Sequence, residues 1–136
     1  MFVLGFPLLI IPFAIYNIVA FLLPGVAWTT EIAAVQMVSG QPWVLNIEDV
    51  LLAFAILLLA VEIMKATRIG IRTIVDHVLS MLLFIAMLVE FLLVAKAGTS
   101  TFFLLLTISL VDVLDGFIVS MRASLQQVEV ETEKAA

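Results

Sequence analysis

The chain contains no cysteine. That excludes disulfides, thiolate metal sites and thiol redox chemistry. Charge is nearly as scarce, with 6 Lys and Arg and 11 Asp and Glu among 136 residues. So few basic side chains make no face broad enough to hold a nucleic acid. The single histidine argues against a bis-histidine haem within one chain. No H-E-x-x-H helix, G-x-S-x-G elbow or phosphate loop is present. We therefore expect no enzyme, no cofactor and no metal centre, and no nucleic acid as partner.

What the chain has in abundance is apolar side chain. Hydrophobic residues make up 65% of it, and its mean hydropathy is +1.31. A soluble domain of this length carries far more charge. Four apolar runs can be read, at about residues 2–23, 48–66, 74–96 and 101–121. A membrane span needs roughly 20 residues, with a range of about 17–25. The second run reaches that length only by including Glu48 and Asp49 or Lys65 and Ala66. The expected fold is all-α: a polytopic integral membrane protein with four transmembrane helices in an antiparallel bundle over residues 1–122. A short acidic cytoplasmic tail, 123–136, follows. Its Glu129, Glu131 and Glu133 account for much of the formal charge of −5. The tail SLQQVEVETEKAA is polar enough to expect a mobile end.

Local signals mark the boundaries. The first run has no Lys or Arg before it and is too long for a cleaved signal, so it reads as a span. Pro7 and Pro12 predict a kink in it, and Pro24-Gly25 ends it. Asn46, three residues before Asp49, looks like a helix cap. Thr73 to Asp76 has capping-box spacing ahead of the third run, which makes Asp76 a cap. Gly98 suits a helix C-terminus, and Thr99, Ser100 or Thr101 can cap the fourth helix. The third and fourth helices are then joined so tightly that they must be antiparallel neighbours.

Lys65, Arg68, Arg72, Arg122 and Lys134 fall on one side of this arrangement, and Lys96 alone on the other. That is a positive-inside pattern with both termini in the cytoplasm. The outer loop, 24–47, then faces the periplasm or exterior, with Trp28 and Trp43 as interfacial anchors. Within it EIAAVQMV reads weakly as a short helix on the outer leaflet. A bacterial source would make the membrane the inner one.

The polar residues inside these runs are the informative ones. An Asp near the centre of a span costs about 2.5–3.5 kcal/mol, against about 0.3–0.6 returned by each large apolar residue. The fourth run has about fourteen of the latter, worth about −6 kcal/mol in all, and its Asp112 and Asp115 nearly cancel that sum. This helix needs its neighbours. Asp112 and Asp115 lie about 60° apart on it, with Ser109, Gly116 and Ser120 close to Asp112. Such a small, polar stripe is expected to pack on other helices. The third run carries Asp76, Ser80, Met87 and Glu90 within about 80° of arc. Glu90 and Asp112 are therefore expected to line one interior track. Asp115, Glu62, Arg68, Arg72, His77 and Arg122 are expected to form a cytoplasmic-side polar cluster, with Glu62 pairing Lys65 or an arginine. Asn17 is expected to make an interhelical hydrogen bond.

Two functions fit. One is an accessory or scaffold subunit in the lipid bilayer, associating through its polar helix faces as a homo-oligomer or within a larger membrane complex. The other is a small proton- or cation-coupled transporter working as an oligomer through Asp112, Asp115 and Glu90. In size and helix number the chain resembles the small multidrug resistance transporters. Those carry a glutamate in their first helix, whereas the first run here has no acid, which counts against transport. In size, topology and the stretch LLLAVEIMKATR, an acid near a helix end before a basic link, it is also similar to the phosphate-starvation-inducible membrane proteins.

Overall fold

The structure, a computed structural model, describes residues 7–66 and 71–135. Its elements in chain order are α1 (Ile10–Leu22), β1 (Glu31–Gln36), β2 (Pro42–Asn46), α2 (Ile47–Ala66), α3 (Ile71–Leu93), a 3-10 turn (Ala95–Ala97) and α4 (Ser100–Ala135). The protein is mostly helical, as its composition predicts. Helix α4 packs on both α2 and α3, while α1 lies across α2, α4 and the 3-10 turn. The tight link at residues 94–99 makes α3 and α4 neighbours, as expected.

Two helices, α3 and α4, are long and apolar enough to cross a membrane. Helix α2 has the length, about 30 Å at 1.5 Å per residue, but it holds Glu48, Asp49, Glu62 and Lys65. Helix α1 has 13 residues, or about 20 Å, short of a hydrocarbon core of about 30 Å. Pro7 precedes it and Pro12 sits in its first turn, where a missing N–H costs no intrahelical bond. The prolines thus mark where α1 starts. Residues 1–6 of the expected first span lie outside the described residues.

Tyr16 is the centre of the core and fully buried. Its hydroxyl donates to the Lys96 carbonyl at 2.8 Å and meets Thr99 Oγ1 at 2.7 Å. Its ring stacks on Trp28 at 4.7 Å and meets Phe102 edge-on at 4.9 Å. Trp28 is therefore part of an aromatic cluster that joins α1 to the α3–α4 link. Below it, Leu51 and Ala55 of α2, Leu83 and Met87 of α3, and Leu105 of α4 close the bundle.

Three local expectations need correction. EIAAVQMV does not form a helix: residues 31–36 pair antiparallel with 42–46 in a hairpin, with an irregularity between Glu31 and Ala33. Its turn is closed by Gly40 N–H to the Met37 carbonyl at 2.9 Å and Met37 N–H to the Gln41 carbonyl at 3.0 Å. Gly40 has φ +90° there, open to glycine at little cost. Helix α3 begins at Ile71, so Asp76 lies inside it and caps nothing. The acidic tail is helical rather than irregular, because α4 continues through it to Ala135.

The Asn46 boundary is as expected. Asp49 Oδ2 reaches back to accept the Asn46 N–H at 2.9 Å, one half of a capping box. Glu48, in the same first turn, accepts a hydrogen bond from Thr101 Oγ1 at 2.8 Å. The starts of α2 and α4 are thus tied together.

Candidate functional site: a buried acid–lysine cluster

Glu62 and Lys65 lie three apart near the end of α2, so they share a face. The Lys65 ammonium is 3.0 Å from Glu62 Oε1 and 3.7 Å from Asp76 Oδ2 of α3. Glu62, only 2% exposed, also accepts the Leu8 N–H at 2.6 Å. The Asp76 and Glu62 carboxyl groups meet as well. One turn further along α3, buried Ser80 hydrogen-bonds Asp112 of α4. Asp76, Ser80 and Asp112 are each less than 10% exposed. Four pieces of chain, namely the segment before α1, α2, α3 and α4, therefore meet at one polar cluster.

Taking an ion out of water costs several kcal/mol even after relaxation, and mutual attraction offsets this only in good geometry. Here one ammonium serves two carboxyl groups, and each acid has a further protein partner. The arrangement joins helices, and removing the cation would leave the acids without compensation.

Helix α4 presents its expected stripe inward. Ser109 is 1% exposed and Asp112 is buried. Gly116 lies against the His77 ring of α3: a methyl group added at Gly116 would overlap Nδ1 and sit 3.2 Å from Cε1. The absent side chain is what lets the helices meet there. Asp115 is half-buried beside this contact. Among the described residues, Asp115 Oδ2, His77 Nδ1 and Asp76 Oδ1 are buried without a hydrogen-bond partner.

Glu90 lies elsewhere. It accepts a 3.4 Å hydrogen bond from Asn17 Nδ2 of α1, whose amide also donates to the Phe13 carbonyl. Ten residues of α3, or about 15 Å, separate Glu90 from Ser80. Glu90 and Asp112 thus have different partners, Asn17 and Ser80, at different levels of the bundle. The expected cytoplasmic-side cluster is also rearranged. Glu62 and His77 face the helix interfaces, but Arg122 is exposed on α4. Arg68 lies outside the described residues, as do the side chains of Arg72 and Ser120.

Sequence reasoning missed the site role of Asp76, which its capping-box spacing disguised, and gave Lys65 only a pair with Glu62. The stripe of Asp76, Ser80 and Met87 on the third run already carried the signal for Asp76, but the capping-box spacing outweighed it. Among the described residues no group of three or more His, Asp and Glu side chains is placed to hold a metal ion. No family model, curated protein or solved structure matches the chain.

Proposed function

We propose that this is a small multi-pass integral membrane protein with an accessory or scaffold role, whose buried acids tie its helices together. Four features support a bilayer as its surroundings. Two helices have the length and composition to cross it. Most of the best apolar window in each, with only 22% and 28% buried, is uncovered by protein, whereas a soluble domain turns such surface inward. The ionisable groups of α2 are paired within the bundle, which lowers the cost of placing this helix across the bilayer as well. The basic residues lie mostly on one side of the expected four-span arrangement, which supports a reading with the termini in the cytoplasm and the 31–46 hairpin outside. In a bacterial source this would be the inner membrane.

The observation that carries the scaffold reading is Glu62. Its carboxylate accepts from Leu8, pairs with Lys65 and touches Asp76. An acid with partners on three sides is built to hold chain segments in place. A second reading, transport of protons or cations by an oligomer, is favoured by the unpartnered Asp115, Asp76 and His77 atoms. Reconstitution into vesicles carrying a pH-sensitive dye separates the two. The scaffold reading expects proton leak equal to that of empty vesicles, in the wild type and in Asp112→Asn/Asp115→Asn alike. Flux present in the wild type and lost in the variant would overturn it in favour of transport.

A further inference from the structure

Helix α4 is 36 residues long, or about 54 Å, against a hydrocarbon core of about 30 Å. About 20 Å of it therefore stands clear of the bilayer described above. Residues 124–135 are exposed on every side. A water-exposed helical end of this length has little stability of its own, and a partner along one face would add to it.

Its sequence indicates what. Val111, Leu114, Ile118, Met121, Leu125 and Val128 follow one another at spacings of 3, 4, 3, 4 and 3. That is the seven-residue spacing of a short coiled coil, about two and a half heptads long, with Val111, Ile118 and Leu125 at a and Leu114, Met121 and Val128 at d. All are exposed, between 42% and 61%. Lipid explains exposed apolar residues only inside the bilayer, yet the repeat keeps its register past Arg122, where most neighbours are polar. Of the large apolar residues beyond Arg122, only Val130 lies off the stripe. The charged residues of this half of α4, Asp115, Arg122, Glu129, Glu131, Glu133 and Lys134, all fall at other positions of the repeat.

We propose that α4 pairs with α4 of a second copy of this chain, as a parallel two-stranded coiled coil that starts within the bilayer and continues into the cytoplasm. This rests on the membrane reading, since two copies threaded the same way necessarily present α4 in parallel. β-Branched residues at a favour two parallel strands when Leu is at d; Val111 and Ile118 supply the first and Leu114 the second, while Met121, Leu125 and Val128 fill the remaining positions with large apolar side chains. The six side chains offer roughly 550 Å² per copy. That approaches the roughly 800 Å² a side of a standard interface before the flanking positions are counted.

The absence of cysteine makes the test clean. Single cysteines placed one at a time at residues 124–130 of the full chain are oxidised in native membranes. The expected product has twice the 14.9 kDa mass of the chain, is greatest at 125 and 128, and falls at least several-fold at 126 and 127. A flat profile, a maximum at 126, 127 or 130, or a product of another mass overturns the proposal. As a second measurement, Leu125→Glu/Val128→Glu, at two exposed positions, should lose the dimer at least tenfold in detergent sedimentation with helix content unchanged. A retained dimer overturns the pairing. Alkaline extraction of the same membranes separates the two levels of argument. A chain released by it refutes the membrane reading, whereas a retained chain with a flat profile refutes the pairing alone.

Discussion

Gly116→Ala is expected to change sign with the residue facing it. The added methyl group meets the His77 imidazole, overlapping Nδ1 and lying 3.2 Å from Cε1 and 3.3 Å from Cγ. Overpacking of this kind costs about 1–3 kcal/mol. Against this, alanine is better than glycine in a helix interior by about 1 kcal/mol. The substitution alone should therefore cost up to about 2 kcal/mol. In a His77→Ala background the obstacle is gone, and Gly116→Ala should instead stabilise by about 1 kcal/mol. The coupling between the two positions is then about 1–3 kcal/mol, far above the few tenths typical of independent sites. Four proteins, the wild type, two single variants and the double variant, would be unfolded by SDS titration in mixed micelles and followed by far-UV circular dichroism. If Gly116→Ala stabilises equally in both backgrounds, to within about 0.5 kcal/mol, then α3 and α4 do not meet at this point and the packing described here is wrong.

Other substitutions address the remaining contacts. Lys65→Met keeps the bulk of the side chain but leaves the Glu62 and Asp76 acids without their cation, and should cost about 3–5 kcal/mol. Adding Glu62→Gln and Asp76→Asn should recover part of this in the same titration, and no recovery would argue against a charge-based loss. Tyr16→Phe removes one buried hydroxyl from the Lys96 carbonyl and Thr99, and should lower stability by about 1–3 kcal/mol, read as a fall in Tm. A change within error would mean that water replaces those bonds without cost. Gly40→Ala places a side chain at φ +90° and should cost about 1–2 kcal/mol. The loss should be confined to the hairpin, visible as faster amide exchange across 31–46 with the helices unaffected.

The helices were legible because hydrophobic runs of their length admit little else, and the α3–α4 pairing because residues 94–99 leave no room for another path. Ser109, Asp112 and Gly116 were legible as an inward stripe because helical geometry alone places them together. Other features depended on information that no single run contains. EIAAVQMV is too short for its periodicity to decide between helix and strand. The decisive signal lay beyond it, in Ser39-Gly40 followed by the strand-forming Trp43 and Val44. Asp76 satisfies a capping pattern with Thr73, but the helix starts earlier and Lys65 of another helix takes the carboxylate. Glu90 and Asp112 fall on compatible faces of their own helices, yet facing inward does not make them adjacent. Asn17 and Ser80, from two different helices, divide them. The tail has the composition of a solvated segment, which does not reveal that α4 extends through it to Ala135.

The Tyr16 contacts also set an order on biosynthesis. The residues that receive its hydroxyl and ring, Lys96, Thr99 and Phe102, follow it by 80 or more positions. At about 5–20 residues per second, a ribosome takes roughly 4–16 s to supply them. Through that interval α1 has been made but has no partner for its only phenol, and the acid in α2 that binds Leu8 still lacks its neighbour from α3. The first helix synthesised thus completes its contacts late: a ribosome that stalls before Lys96 leaves α1 and the residues before it with Trp28, Glu62 and Glu90 as partners but with the tyrosine hydroxyl unsatisfied.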